Sequence, residues 1–122
     1  DLEVKVLTYN LFWWNLFGQH RGRGGSAGRL IATSGMFDVI AFQECEDVRR
    51  VLRDGGVAEA YGVLPGPAAM AMAYDRGAWS LLDQGWSFVA EDHRIQYFGR
   101  RAVQWVRLLH LASNKTVFAA NQ

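Results

Sequence analysis

The chain has 122 residues, the length of one small domain. With 50% hydrophobic and 20% charged residues it is not a disordered chain, and a net charge of +1 gives no bulk argument for nucleic acid. Its single cysteine, Cys45, excludes an intrachain disulfide and a cysteine-based metal cage. One thiol leaves the compartment open, and Cys45 reads as a small buried hydrophobe. No run approaches the ~18–20 apolar residues of a membrane span, and no signal-peptide pattern is present. The first residue is Asp1 rather than Met, so the start reads as a processed end or as the edge of a longer chain. Five Trp, four Tyr and seven Phe call for a large core or for apolar surface kept for a partner.

Val4–Tyr9 carries the apolar, β-branched pattern of a strand and delivers Asn10 at its end. Leu11–Phe17, with Phe12, Trp13, Trp14 and Phe17, reads as an aromatic turn. Gly18–Gly28 is a basic, glycine-rich loop. Its Arg21–Ser26 stretch lacks the Gly-Lys-Ser/Thr of a P-loop and reads as a solvated loop ahead of a phosphate grip. Arg29–Met36 is a short helix candidate with Leu30, Ile31 and Met36 inward. Val39–Phe42 is continuous and apolar, as in a strand buried on both faces, and it runs into Gln43 and Glu44.

Glu46–Arg53 has helical spacing, with Val48, Val51 and Leu52 inward and Gly55-Gly56 as its stop. Glu46 and Asp47 suit the positive end of its dipole, and Glu46 can pair with Arg50. The rest reads as strands: Tyr61–Leu64, Met70–Tyr74, Trp79–Leu82, Gly85–Val89, Ala102–Leu111 and Thr116–Ala120. The last two form a hairpin through Ser113-Asn114-Lys115. The order predicts an α+β or layered α/β fold with mostly antiparallel sheet and flanking helices, and no internal domain boundary.

Two strands that end in Asn10 and Glu44 can place two oxygen donors side by side, which suits a hard cation. The alternatives are a carboxylate capping the next helix at Glu44 and an Asx turn at Asn10. Arg100 and Arg101 are candidate phosphate contacts, or else a solvated strand start paired with Glu91 or Asp92. His20, His93 and His110 lack metal-ligand spacing.

Thr8-Tyr9-Asn10, Asp38-Val39-Ile40-Ala41-Phe42-Gln43-Glu44, Ala71–Asp75 with Trp79–Leu82, and Arg101–Trp105 with its hairpin occur in one order. In that order they resemble the first half of the endonuclease/exonuclease/phosphatase family, the relatives of deoxyribonuclease I. The resemblance implies part of a four-layer α/β sandwich and magnesium-dependent hydrolysis of a phosphoester. It implies Glu44 as metal ligand, Asn10 as its neighbour orienting the metal shell or the phosphate, and Arg101, with Arg100, as weaker phosphate contacts. The substrate stays open among DNA, RNA, an inositol phosphate and a phospholipid.

The sequence departs from the family pattern in three ways. The family's Asn-x-His-Leu motif is expected after Ala120, where the chain supplies Asn121 and Gln122 and stops one residue short of the histidine. The later Asp-x-Asn, Gly-Asp-x-Asn and Ser-Asp-His motifs are missing. Ala68 stands where many relatives carry a glutamate that orients the catalytic histidine, and without it the base loses its fixed tautomer. Residues 1–122 are therefore expected to be the N-terminal half of a single domain, without hydrolytic activity alone. The alternative is a non-catalytic structural subunit of a larger assembly. If each half of the family fold supplies one sheet, this chain has one sheet with a bare apolar face. Phe12, Trp13, Trp14, Trp79, Trp86 and Trp105 then lack partners until the missing half or another protein covers them.

Overall fold

A computed structural model describes residues 1–12, 25–91 and 99–122. Trp13, Trp14, Phe17, His20, Arg21, Arg23, Asp92, His93 and Arg94 lie outside the described residues. The elements run β1 (Val6–Asn10), α1 (Ser26–Thr33), β2 (Val39–Gln43), α2 (Val48–Asp54), β3 (Tyr61–Pro65), β4 (Ala71–Asp75), β5 (Trp79–Glu91), β6 (Arg100–His110) and β7 (Thr116–Asn121). No described helix is long and apolar enough to cross a membrane.

Among the described residues two sheets form, where one was expected. The first has the order β1-β2-β4-β3, with β1 and β2 parallel and the other pairs antiparallel; the second is the antiparallel meander β5-β6-β7. Both α-helices pack on one face of the first sheet, where Ile40 and Phe42 of β2 meet Ala27, Ile31, Val48, Val51 and Leu52. The other face carries Val39, Leu64 and Met72 against Trp79, Val106 and Leu108 of the second sheet. Strand side chains alternate between faces, so a strand with helices on one side and a sheet on the other must be apolar at every position. That is why Val39–Phe42 reads as an unbroken apolar run.

The chain thus supplies its own inter-sheet packing, and the expectation of unpartnered tryptophans fails first at Trp79. This side chain is 2% exposed, and its Nε1 donates to Asp38 Oδ1 at 2.8 Å. Asp38 Oδ2 accepts from Lys5 N at 2.8 Å. One carboxylate thereby ties the β1 approach, the β2 start and the second sheet together.

α1 begins three residues before the expected Arg29, and its inward face is Ala27, Gly28 and Ile31. Leu30 and Met36, expected inward, are exposed. The reason is a close helix crossing: a Cβ on Gly28 would sit 2.1 Å from Val51 O and 2.6 Å from Gly55 N, so α1 meets α2 backbone to backbone. α2 starts at Val48, with Asp47 as the N-cap accepting from Arg50 N at 3.0 Å; Glu46 lies one residue outside it. The two segments expected at Trp79–Leu82 and Gly85–Val89 are one strand, β5, with register shifts at Leu81/Asp83 and Phe88/Ala90. Such bulges bend and re-aim a strand.

Candidate functional site

The C-terminal ends of β1 and β2 lie side by side because the two strands run parallel, with Asn10 opposite Gln43. Leu11 N continues the ladder to Gln43 O at 2.9 Å. The chain leaves β2 at Glu44, which takes φ 51°, and Cys45 N then donates to Ala69 O at 2.7 Å. That bond draws the β3–β4 turn, containing Ala68 and Ala69, up against Glu44. Glu44 is not the cap of α2, because Asp47 fills that role.

These segments open into a cleft of about 1240 Å³. Its lining includes Phe12, Glu44, Glu46, Ala68, Phe88, Arg100 and Arg101. Glu44 and both arginines therefore share one cavity, and Ala68 faces the same space. Asn10 is not part of the lining. Its Oδ1 accepts from Phe12 N at 3.0 Å, an Asx turn that shapes the exit from β1. Arg100 Nε lies 3.7 Å from Glu91 Oε1, between partly exposed side chains.

Five described non-glycine residues have positive φ: Phe12, Glu44, Ala68, Ala69 and Asn114. All but Asn114 line this cleft. Side chains with a Cβ enter the left-handed region at a cost of ~1–2 kcal/mol each, and such residues persist where the surroundings over-determine them. Here the β-ladder on one side and the Cys45–Ala69 bond on the other supply that restraint.

Under the cleft lies a tier of buried amides that the sequence reading did not single out as such. Asn121 Nδ2 donates to Phe42 O at 2.8 Å and Ala71 O at 3.1 Å, and its Oδ1 accepts from Gln43 Nε2 at 2.8 Å. One side chain at the end of β7 thus pins β2 and β4 of the opposite sheet, directly behind Glu44. Gln104, its register partner on β6, donates from Nε2 to Leu64 O at 2.8 Å and leaves a buried Oε1 without a partner. A Cβ on Gly66 in the cleft wall would fall 2.7 Å from the Gln104 amide carbon, so this wall rests directly on that amide. A polar residue spaced to face the core of an apolar strand, as Gln104 does in Ala102–Leu108, was the available signal.

Cys45 is buried beside Glu44, and burial pushes its thiol up to about 11. It is a packed neighbour of the site rather than a nucleophile. His110 sits at the β6–β7 turn, with Nδ1 2.7 Å from Ser113 Oγ, and does not line the cleft.

Among the described residues no three His, Cys, Asp or Glu side chains gather to hold a metal ion. Two carboxylates, Glu44 and Glu46, do line the cleft. Magnesium takes one or two carboxylates and completes its octahedron with waters and phosphate oxygens, so this donor chemistry fits such an ion.

No protein-family model matches the sequence, and no curated protein matches it significantly. Solved structures do match. A mannosyl-6-phosphatase of Bacteroides thetaiotaomicron has a TM-score of 0.72 at 17% identity, over 98% of this chain and 51% of that one. An endonuclease/exonuclease/phosphatase of Bacteroides vulgatus has a TM-score of 0.71 at 15% identity, over 98% and 52%. The catalytic domain of human Nocturnin, solved with a bound sulfate anion, has a TM-score of 0.68 at 12% identity, over 96% and 48%. The chain spans about half the length of these structures. Its fold is accordingly a portion of the α/β fold of the endonuclease/exonuclease/phosphatase proteins.

Proposed function

We propose that residues 1–122 form the N-terminal half of a magnesium-dependent phosphodiester hydrolase domain, with Glu44 as its metal-binding carboxylate. The observation that carries this reading is the convergence of Phe12, Glu44, Ala68 and Ala69, all at positive φ, on one cleft that also holds Arg100 and Arg101. Backbone strain gathered around a carboxylate and two guanidinium groups is what a pre-organised anion site requires.

In this reading Glu44 holds the ion, with Glu46 near enough in sequence to bind or orient its water shell. Arg101, and more weakly Arg100, take the phosphate oxygens through planar, permanently charged forks. Asn10 acts from behind: its Asx turn fixes the β1 exit that carries Phe12 into the cleft. Asn121, with its three bonds to the Glu44 strand and to β4, keeps the carboxylate's backbone in place. A bound magnesium ion would polarise the phosphoryl group and stabilise the leaving oxygen. Among the described residues no histidine lines the cleft, and the half domain alone is proposed to be inactive. The remaining half, or another protein, is its proposed partner.

One observation favours a second reading, that of a non-catalytic subunit in a larger assembly. Ala68 lines the cleft with only a methyl group where a base-orienting acid is expected.

The test is a phosphodiesterase assay on the full-length protein and on residues 1–122, with and without magnesium. The hydrolase reading expects metal-dependent turnover by the full-length protein only, reduced roughly a hundredfold or more by Glu44→Ala, since even outer-shell partners of metals are worth 10–100-fold. Turnover indifferent to Glu44→Ala would sink it, and a full-length protein that binds partners but hydrolyses nothing would favour the subunit.

A further inference from the structure

The turn that joins β3 to β4 is gripped at its base and at its tip. At the base Gln104 Nε2 donates to Leu64 O at 2.8 Å on the entering leg, and Asn121 Nδ2 donates to Ala71 O at 3.1 Å on the leaving leg. Both amides come from the second sheet, where Gln104 and Asn121 are register partners. The turn is closed by Gly66 N to Met70 O at 2.8 Å and by Met70 N to Pro67 O at 3.1 Å. Its central residues, Ala68 and Ala69, take φ 54° and 55°. Positive φ at both central residues of a turn favours asparagine or glycine, and alanine holds it only where both ends are fixed. At the tip Ala69 O accepts from Cys45 N at 2.7 Å, one residue past Glu44.

Gln104 is the unexpected member of this arrangement. The buried side chains of β6 are Ala102, Gln104, Val106 and Leu108, and Gln104 alone of the four is polar. It is 3% exposed, and its Oε1 has no partner among the described residues. A buried acceptor without a donor costs its desolvation, so packing alone favours a leucine or methionine there. What the amide supplies is its contact with the turn. It bonds Leu64 O, and it forms a bed for Gly66, where a Cβ would fall 2.7 Å from Gln104 Cδ. Pro65 and Pro67 flank Gly66 with fixed φ, so a shift at the base is carried to the tip and not absorbed within the turn.

We infer that Gln104 is a positioning residue for Glu44, acting through the β3–β4 turn; the inference rests on the reading of Glu44 as the metal-binding carboxylate. The path runs from Gln104 to Leu64, along the turn to Ala69, and across to Cys45 and Glu44. Glu44 leaves β2 at φ 51°, a conformation that a residue with a Cβ keeps only under restraint. One restraint precedes it, the Leu11 N to Gln43 O bond, and one follows it, the Cys45 N to Ala69 O bond. Only the second depends on the turn, and therefore on Gln104. Residues of this chain already enclose Gln104, so its role does not depend on what covers the outer faces of the sheets.

The test reads the Cys45 amide and the metal separately, on the full-length protein. Gln104→Met keeps the length of the side chain and removes the donor to Leu64 O. Hydrogen exchange should then quicken at least about tenfold at the Cys45 amide, while the Val51 amide in α2 keeps its rate. In calorimetric titration with magnesium the same variant should bind roughly tenfold more weakly than wild type, the lower end of what outer-shell partners are worth. Gly66→Ala, which presses a methyl group onto the Gln104 amide, should act in the same direction. Gln104→Ser removes that clash, so Gly66→Ala added to Gln104→Ser should cause no further loss. Unchanged Cys45 exchange in Gln104→Met would overturn the positioning role. So would an equal rise at Cys45 and Val51, which is what a merely structural residue produces. Quicker Cys45 exchange with unchanged magnesium affinity would overturn the link to Glu44. Magnesium binding that Glu44→Ala does not weaken counts against the metal reading alone, and unchanged Cys45 exchange counts against Gln104 alone.

Discussion

The two sheets of this chain solve the same problem differently. The first is covered on both faces at β2 and β4, by α1 and α2 on one side and by the second sheet on the other, while β1 at its edge keeps one face exposed. Among the described residues the second sheet is covered only on its inner face, and only along part of its length. On its outer face Trp105 stacks on Phe118 at 5.7 Å, and Phe118 is 64% exposed. The cleft lies at the end of the first sheet, between Glu44 and Ala71 on one side and Phe88, Arg100 and Arg101 of the second sheet on the other. The contrast separates two uses of aromatic residues: Trp79 is a structural bolt, whereas Trp86, Phe88 and Phe118 are surface.

The contrast predicts a gradient of mutational effects. Trp79→Ala removes a buried ring and leaves Asp38 Oδ1 without its indole donor, and should cost ~3–5 kcal/mol in urea unfolding. A loss below about 1 kcal/mol would mean that the sheets do not depend on this bolt. Asn121→Ala strips donors from Phe42 O and Ala71 O behind Glu44, with an expected loss of roughly 1–3 kcal/mol. Phe118→Ser should change the unfolding of this chain by no more than about 0.5 kcal/mol, as for an ordinary surface site. A larger loss would show that the outer face is covered after all.

The smallest effect concerns Cys45. Its thiol is held neutral by burial, so the folded state binds its proton more tightly than the unfolded state does. Its contribution is intact below pH 9.0 and is lost as the pH rises towards about 11. At pH 8 iodoacetamide should leave Cys45 unmodified until the protein is denatured, and rapid alkylation of the folded protein would contradict its burial.

Much of this architecture was legible in the residues. The unbroken run Val39–Phe42 announced a strand covered on both faces, and the Val48, Val51, Leu52 spacing announced α2. These signals are local, because periodicity follows from which faces of one element meet water. The resemblance carried by Tyr9-Asn10 and Gln43-Glu44 pointed to the fold that the solved structures share, and to the two strand ends that now stand side by side. The depth of Asn121 and Gln104 was not legible, since each looks like an ordinary polar residue until the opposite sheet is in place. Nor was the inward face of α1: apolarity nominated Leu30, and the close crossing at Gly28 and Gly55 turned the helix to bury Ala27 and Gly28 instead.

By itself, then, the sequence determined most of the elements and the two strand ends that lie side by side, properties of short segments and their order. Only the tertiary structure decided that one chain carries two facing sheets, that Glu44, Arg100 and Arg101 share a cavity, and that Trp79 is buried while Trp86 is not. Those are relations between segments up to about 80 residues apart, such as Phe42 and Asn121. Packing geometry sets them, because a side chain's environment depends on which surface the fold lays over it.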